Sequence, residues 1–222
     1  SRMSALLLIA DWLLATGREL ALPVASNQSA ISSKADILER AMRTSGTGLL
    51  AMRACLALPA EFNRIVARTG NKSLLLFQKT GLIMQHLWRR AEDGESYMAI
   101  DRHGGRKRYR RLLKDVFPEC GCDVLREADS RSDYRIHNEA RALVVSFLKS
   151  GDQRALPVAL GSMVAKYVRE LYMLAFNRYW QARLDGLKPT AGYGRDARRF
   201  IRQIAPLARA DGLEMDALVR RR

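Results

Sequence analysis

Cysteine is scarce in this chain, which has three among its 222 residues. An odd and sparse count argues against a disulfide-stabilised secreted domain, because such domains pair many cysteines. A chain of this length buries a sizeable core without cross-links. We therefore expect a reducing compartment and a cytoplasmic protein.

A long apolar run is also missing. The most apolar stretch spans residues 3–15 and is interrupted by Asp11, whereas a membrane-spanning helix needs about 20 apolar residues. A secretory signal peptide is the alternative for this stretch, but its apolar region should be unbroken by charge. We expect no membrane association.

The chain lacks the common catalytic and nucleotide-binding motifs. It contains neither G-x-G-x-x-G nor a Walker loop, and its three histidines form no pattern with serine and aspartate. Cys120 and Cys122 with His103 or His137 offer a zinc site as an alternative. The C-x-C spacing is shorter than the usual C-x₂₋₄-C pair, which disfavours zinc.

Positive charge is what the chain has in excess. Lysine and arginine number 38 against 23 aspartates and glutamates, so the net charge is +15 and the pI about 10.4. A hydrophobic content of 48% excludes a disordered basic tail. A folded domain with this charge attracts polyanions, of which nucleic acid is the commonest. The alternative is a solvated basic surface without a specific partner.

The apolar periodicity predicts an α/β domain. Helical patterns cover residues 3–16, 35–43, 59–67, 71–90, 109–117, 158–184 and 196–207. Short apolar runs predict strands at residues 49–58, 97–100, 122–127, 133–137 and 141–148. The strands cluster in the centre of the chain, and no internal repeat is present.

One carboxylate is placed where chemistry often occurs. Asp101 ends a short apolar strand and precedes the basic, glycine-containing loop R-H-G-G-R-K at residues 102–107. Mg²⁺ prefers carboxylate oxygens and retains waters for a phosphoryl substrate, so this arrangement suits a metal ion that meets a phosphate. An aspartate that caps a turn is the simpler alternative.

A second carboxylate follows a later strand. Asp152 lies in K-S-G-D, between a buried-looking strand and a long helix. Lys166 follows fourteen residues later in the small-residue segment G-S-M-V-A-K, where it is placed to meet a phosphate. A turn aspartate and a packing helix with a solvated lysine are the alternatives for these two residues.

Several ordered motifs together resemble the signature of ribonuclease HII. They are M-A-I-D at residues 98–101, K-S-G-D at 149–152, L-G-S-M-V-A-K-Y-V-R-E at 160–170 and T-A-G-Y-G-R-D at 190–196. Asn63, and Asn71-Lys72 at the start of a helix, are similar to the family's segment before its central strand. The resemblance covers about residues 59–205 and is strongest over 149–196.

The resemblance implies a fold and a reaction. The fold would be an α/β ribonuclease H-like mixed sheet flanked by helices, with a helical C-terminal part. The reaction would be hydrolysis of the RNA strand of RNA–DNA hybrids, or of ribonucleotides in duplex DNA, by two Mg²⁺ or Mn²⁺ ions. The chain would be one domain, 1–222, acting as a monomer, with a divergent region at 1–58, a catalytic core at 59–185 and a substrate loop with a basic helix at 186–222.

The resemblance also assigns roles to residues. Asp101 and Asp152 would be two of the four carboxylates that hold the metal ions. Tyr193 would pack on the sugar of the nucleotide at an RNA–DNA junction. The expected substrate-binding residues are Asn71, Arg102, Arg106, Ser162, Lys166 and Tyr193.

Departures from the family pattern leave other functions open. The family's first motif, D-E-A-G-x-G, has no match in residues 1–50, and Ala191 stands where lysine is usual. Because Ser1 begins within a helical pattern, we expect that the motif and the first strands were lost by truncation. The alternatives are a catalytically incomplete nucleic-acid-binding protein of the same superfamily and another nuclease of that superfamily, such as a junction resolvase.

Overall fold

The computed structural model describes residues 27–91 and 93–221, and it has the predicted α/β class. The seven helices of this part are α1 Gln28–Thr44, α2 Pro59–Thr69, α3 Lys72–Trp88, α4 Arg110–Val116, α5 Leu156–Gln181, α6 Gly194–Ala210 and α7 Met215–Leu218. The strands are β1 Gly94–Asp101, β2 Gly121–Glu127, β3 Arg131–His137 and β4 Arg141–Leu148, and a 3₁₀ turn spans Gly151–Gln153.

The four strands form one mixed sheet in the order β1-β4-β3-β2. Strands β2, β3 and β4 form an antiparallel meander. Strand β1 pairs in parallel with β4, from Gly94 opposite Arg141 to Asp101 opposite Leu148. The carboxyl ends of β1 and β4 therefore lie at the same end of the sheet.

Aromatic residues dominate the core beside the sheet. The ring of Tyr109 stacks on that of Phe147, with centroids 3.6 Å apart and planes 2° from parallel. Phe77 and Met84 of α3 and Leu113 of α4 join side chains from β2, β3 and β4 in the same cluster. Burial of these large side chains is the main source of the sheet's stability.

Local signals at helix ends are confirmed. Pro59 occupies the first turn of α2, and Gly70 ends that helix with a left-handed φ of 63°. The side chain of Asn71 caps α3 by accepting a hydrogen bond from the backbone N–H of Ser73.

The strand predicted at residues 49–58 is wrong. These residues have no regular structure up to Leu58, which caps α2, and Leu50 is 98% exposed. Leucine and alanine dominate this run, and it lacks the β-branched residues that favour strands. No strand of the sheet pairs with it in the described part of the chain. The helix predicted at 3–16 lies outside the described residues.

The contacts between residues divide the described part of the chain into two compact units. One comprises the described residues up to Arg53 with Leu171–Leu207, and the other comprises Ala54–Glu170 with Ala208–Arg222. The divisions at 58/59 and 185/186 expected from the sequence stay a prediction. The first unit has its own aromatic core, in which the rings of Phe176 and Phe200 lie 5.5 Å apart.

Within the described ranges, no helix is long and apolar enough to cross a membrane.

Candidate functional site at the ends of β1 and β4

Asp101 joins the ends of the two parallel strands. Its Oδ1 atom accepts a hydrogen bond of 2.8 Å from the backbone N–H of Gly151, in the turn that follows β4. The backbone N–H of Arg102 donates to the carbonyl of Leu148 at 2.9 Å, which extends the pairing beyond β1. Exposed Asp152 directly follows Gly151. The structure thus brings Asp101 next to the segment that carries Asp152.

Glycine at position 151 permits this close approach. A Cβ there would lie 3.3 Å from both the Cα and the Oδ1 atoms of Asp101, and 3.2 Å from Val158. Ser150, just before it, has a φ of 53° and is the one non-glycine residue with positive φ in the described chain. Such a backbone conformation costs a residue with a side chain roughly 1–2 kcal/mol. The turn therefore holds a strained residue beside the candidate site.

Arg102 anchors the turn between β2 and β3. Its guanidinium donates to the backbone carbonyls of Asp129 at 2.6 Å and Ala128 at 2.8 Å. The side chain is half-buried, and both terminal nitrogen atoms of the guanidinium donate to the protein's own backbone. Its substrate-binding role stays a prediction.

Arg106 and Asn71 are brought together through Ser73. The guanidinium of Arg106 donates to the Oγ atom of Ser73 at 3.0 Å, and that hydroxyl donates to Oδ1 of Asn71 at 2.8 Å. Asn71 also caps α3. The contact ties the loop after β1 to the start of α3, while direct contact of either residue with substrate stays a prediction.

His103, which the sequence offered only as a ligand of the alternative zinc site, is the buried residue of this loop. It is 4% exposed and makes edge contacts with the rings of Phe77, Tyr109 and Phe147. Burial, reinforced by the positive charge of Arg106, lowers the pKa of His103 to about 4. A neutral core histidine results. Its aromatic surroundings are assembled by the fold, so the local sequence carries no signal for this role.

Ser162 and Lys166 lie four residues apart in α5, so they occupy one face of that helix. Ser162 is half-buried and Lys166 is exposed. Both belong to the same compact unit as Asp101 and Asp152.

Tyr193 belongs to the other unit, in a loop held by a dense set of hydrogen bonds. The side chain of Asn177 donates to the carbonyl of Thr190 and accepts from its N–H, both at 2.9 Å. The hydroxyl of Thr190 donates to Asp196 at 2.5 Å, and this bond helps to lower the pKa of Asp196. The loop presents Tyr193 with 64% of its surface exposed.

Two carboxylates do not by themselves fit a centre of two divalent ions. Across residues 27–91 and 93–221, no three histidine, cysteine, aspartate or glutamate side chains are grouped to hold a metal ion. One oxygen of Asp101 is already bound to Gly151. We therefore derive no reaction step through metal ions.

The segments on which the expected resemblance to ribonuclease HII depends lie on several elements. M-A-I-D ends β1, K-S-G-D follows β4, the small-residue segment lies in α5, and T-A-G-Y-G-R-D leads into α6. Comparison of the chain with protein-family models, with curated proteins and with solved structures finds no match.

Proposed function

We propose that the protein binds nucleic acid, and that one copy of the chain binds an RNA–DNA hybrid duplex. The observation that carries this proposal is the net charge of +15 on a folded chain. Phosphate neutralisation by lysine and arginine supplies much of the free energy of nucleic-acid binding. The hybrid is the ligand implied by the resemblance to ribonuclease HII.

Unpaired basic side chains support the proposal. Several exposed residues have no carboxylate partner among the described residues: Lys72, Arg89, Arg90, Arg110, Arg111, Lys114, Lys149, Arg154 and Lys166. Side chains of this kind are available to phosphates without first breaking an ion pair. A polyanion can therefore bind these side chains with little loss of contacts within the protein.

Hydrolysis of the RNA strand, with Mg²⁺ or Mn²⁺, is a second proposal, and it requires metal-binding carboxylates in addition to Asp101 and Asp152. The position of Asp101 beside Gly151 and Asp152, at the carboxyl ends of parallel strands, favours it. Lys166 would contact the nucleic-acid backbone in such an enzyme. The ordered loop that exposes Tyr193 would present its ring to the ribose, whose 2′-hydroxyl distinguishes RNA from DNA.

Binding is tested without metal ions. A labelled RNA–DNA hybrid is titrated with the protein in a chelating buffer, and unlabelled hybrid or polyglutamate is added as competitor. We expect the unlabelled hybrid to displace the probe and polyglutamate to displace it poorly. Equal displacement by both competitors would overturn the proposal, because it would show only nonspecific attraction of polyanions.

Cleavage is tested separately with Mg²⁺ or Mn²⁺ and a duplex that contains one ribonucleotide. The wild-type protein is compared with Asp152→Asn and Asp101→Asn purified in the same way. Activity that disappears in both variants while binding persists would support the enzyme, because phosphate contacts dominate affinity. Binding without cleavage by the wild type would support the catalytically incomplete protein. Full activity of Asp152→Asn would overturn the enzymatic proposal.

A further inference from the structure

A positively charged surface lies between α4 and the edge strand β2. Arg108 precedes α4, and Arg110, Arg111 and Lys114 lie on it; all four residues are exposed. Arg110 and Lys114 are one turn apart and share a helix face. Their positive charges act on the thiol of Cys122 in β2, against the burial that raises its pKa. Arg110 and Lys114 also line one cavity together with Val124 and Glu127 of that strand.

The surface is concave. A shallow cavity of about 690 Å³ is lined by those four basic residues together with Asp115, Glu127 and Val124. Four positive charges thus meet two negative ones. A second cavity, near the C-terminus, is balanced: it has Arg209 and Arg221 beside Glu214 and Asp216.

One of the two acids is already engaged. Glu127 accepts a hydrogen bond of 2.5 Å from the hydroxyl of buried Tyr134, and its other oxygen lies 3.6 Å from Nε of Arg108. Arg110, Arg111 and Lys114 have no carboxylate within 4.0 Å in the described part of the chain. The positive charges of these three side chains are therefore available to a ligand.

Apolar surface adjoins these charges. Val124 is 44% exposed and Leu125 is 54% exposed, at a register irregularity in β2. Strand β2 lies at the edge of the sheet, and no strand within residues 27–91 and 93–221 pairs with its outer side. Nucleic acid offers both kinds of partner, phosphates for the cations and sugar or base faces for apolar side chains.

We propose that the concave surface formed by Arg108, Arg110, Arg111, Lys114 and Val124 binds the phosphodiester backbone of a nucleic acid. This inference rests on the proposed nucleic-acid binding and assigns it to the β2 edge. Arginine provides three of the four cations, and its planar guanidinium matches phosphate in a bidentate geometry. The surface would bind the nucleic-acid strand that runs past this edge of the protein's sheet.

Matched double variants test the assignment. Arg110→Gln with Lys114→Gln removes two charges four residues apart on α4. Arg64→Gln with Arg68→Gln removes two exposed charges at the same spacing on α2. The dependence of hybrid affinity on salt is measured for both. We expect the logarithmic slope to become shallower by about 1.8 for the α4 pair, at about 0.9 per phosphate contact, and to be unchanged for the α2 pair.

Controls separate the possible failures. The single variant Arg111→Gln should flatten the slope by about 0.9, and circular dichroism with urea unfolding establishes that each variant is folded. Wild-type binding with equal slopes in both double variants would overturn this surface but leave the proposed function intact. Absence of hybrid binding by the wild type would overturn both.

Anionic membrane is the competing partner for such a surface. Vesicles of phosphatidylserine and phosphatidylcholine in equal parts are therefore tested with the same proteins. Vesicle binding that is lost in the α4 pair, while hybrid binding is kept, would replace nucleic acid by a lipid surface and overturn the proposal. Hybrid binding lost in the α4 pair, without vesicle binding by the wild type, supports it.

Discussion

The carboxylate of Asp101 accepts a hydrogen bond from the backbone N–H of Gly151 at 2.8 Å. These two residues are 50 positions apart in the sequence, and the parallel pairing of β1 with β4 brings them together. The bond connects the end of β1 to the turn after β4, at the end of the sheet where Asp152 is exposed. It therefore has a structural role that is independent of any chemistry at the site.

Loss of this bond should destabilise the fold. Asp101→Ala should lower the free energy of unfolding by about 1–2 kcal/mol, because a buried N–H loses a charged acceptor. Asp101→Asn keeps an acceptor oxygen and should cost less. Asp152→Ala is the control and should change the free energy by no more than about 0.5 kcal/mol. Equal losses for Asp101→Ala and Asp152→Ala in urea unfolding would contradict the structural role.

Ser150 has a strained backbone conformation, and a substitution that relieves this strain should stabilise the fold. Ser150→Gly should raise the melting temperature and stabilise the fold by up to about 1 kcal/mol, since glycine adopts a φ of 53° without a steric penalty. Ser150→Ala keeps the penalty and should bring no gain. The prediction fails if the two variants melt at the same temperature in calorimetry.

His103 should make stability depend on pH. Its pKa is about 4 in the folded protein against 6.5 unfolded, so below pH 6.5 the unfolded chain takes up a proton that the folded chain refuses. Stability is therefore complete above pH 6.5 and is lost as the pH falls toward 4. Linkage gives a loss of about 2 kcal/mol between pH 7.5 and 5.

The measurement for His103 is urea unfolding across that pH range, compared with His103→Phe. The phenylalanine ring keeps contact with the surrounding aromatic side chains and does not titrate. We expect the variant to show a flatter pH profile, whatever its absolute stability. Parallel profiles for the two proteins would show that another group causes the pH dependence.

Asn63 should hold the C-terminal segment in place. Its buried amide donates to the carbonyls of Asp216 and Val219, at 3.1 and 2.8 Å, and accepts from the N–H of Arg221 at 2.7 Å. Asn63→Ala leaves these three groups without their partner and should cost about 2 kcal/mol or more.

The readout for Asn63 is amide hydrogen exchange at residues 216–221, which should accelerate in Asn63→Ala. Arg64→Ala, an exposed neighbour on the same helix, should leave exchange unchanged. Unaltered exchange in Asn63→Ala would mean that other contacts hold the segment.

Short-range signals predicted most of the secondary structure. Pro59, Gly70 and Asn71 mark helix ends because each acts through its own backbone or side chain. The apolar runs at 122–127, 133–137 and 141–148 also became strands. The run at 49–58 has similar hydrophobicity but no strand to pair with, and strand formation depends on that partner.

Relationships between distant residues were harder to predict. The hydrogen bond from Gly151 to Asp101 depends on parallel pairing across the sheet, which no local pattern encodes. The sequence predicts Arg102 and Arg106 as substrate-binding residues. In the structure, their guanidinium groups donate hydrogen bonds to Ala128, Asp129 and Ser73. The basic surface beside β2 arises only when α4 packs next to that strand.

The salt dependence of binding tests the central claim most directly. Fluorescence anisotropy of a labelled RNA–DNA hybrid is measured with the wild-type protein from roughly 50 to 300 mM salt. The net charge of +15 predicts several phosphate contacts, so the logarithm of the affinity should fall against the logarithm of salt with a slope steeper than about −3. An affinity that does not change over this range, or no binding at the lowest salt concentration, would contradict the account.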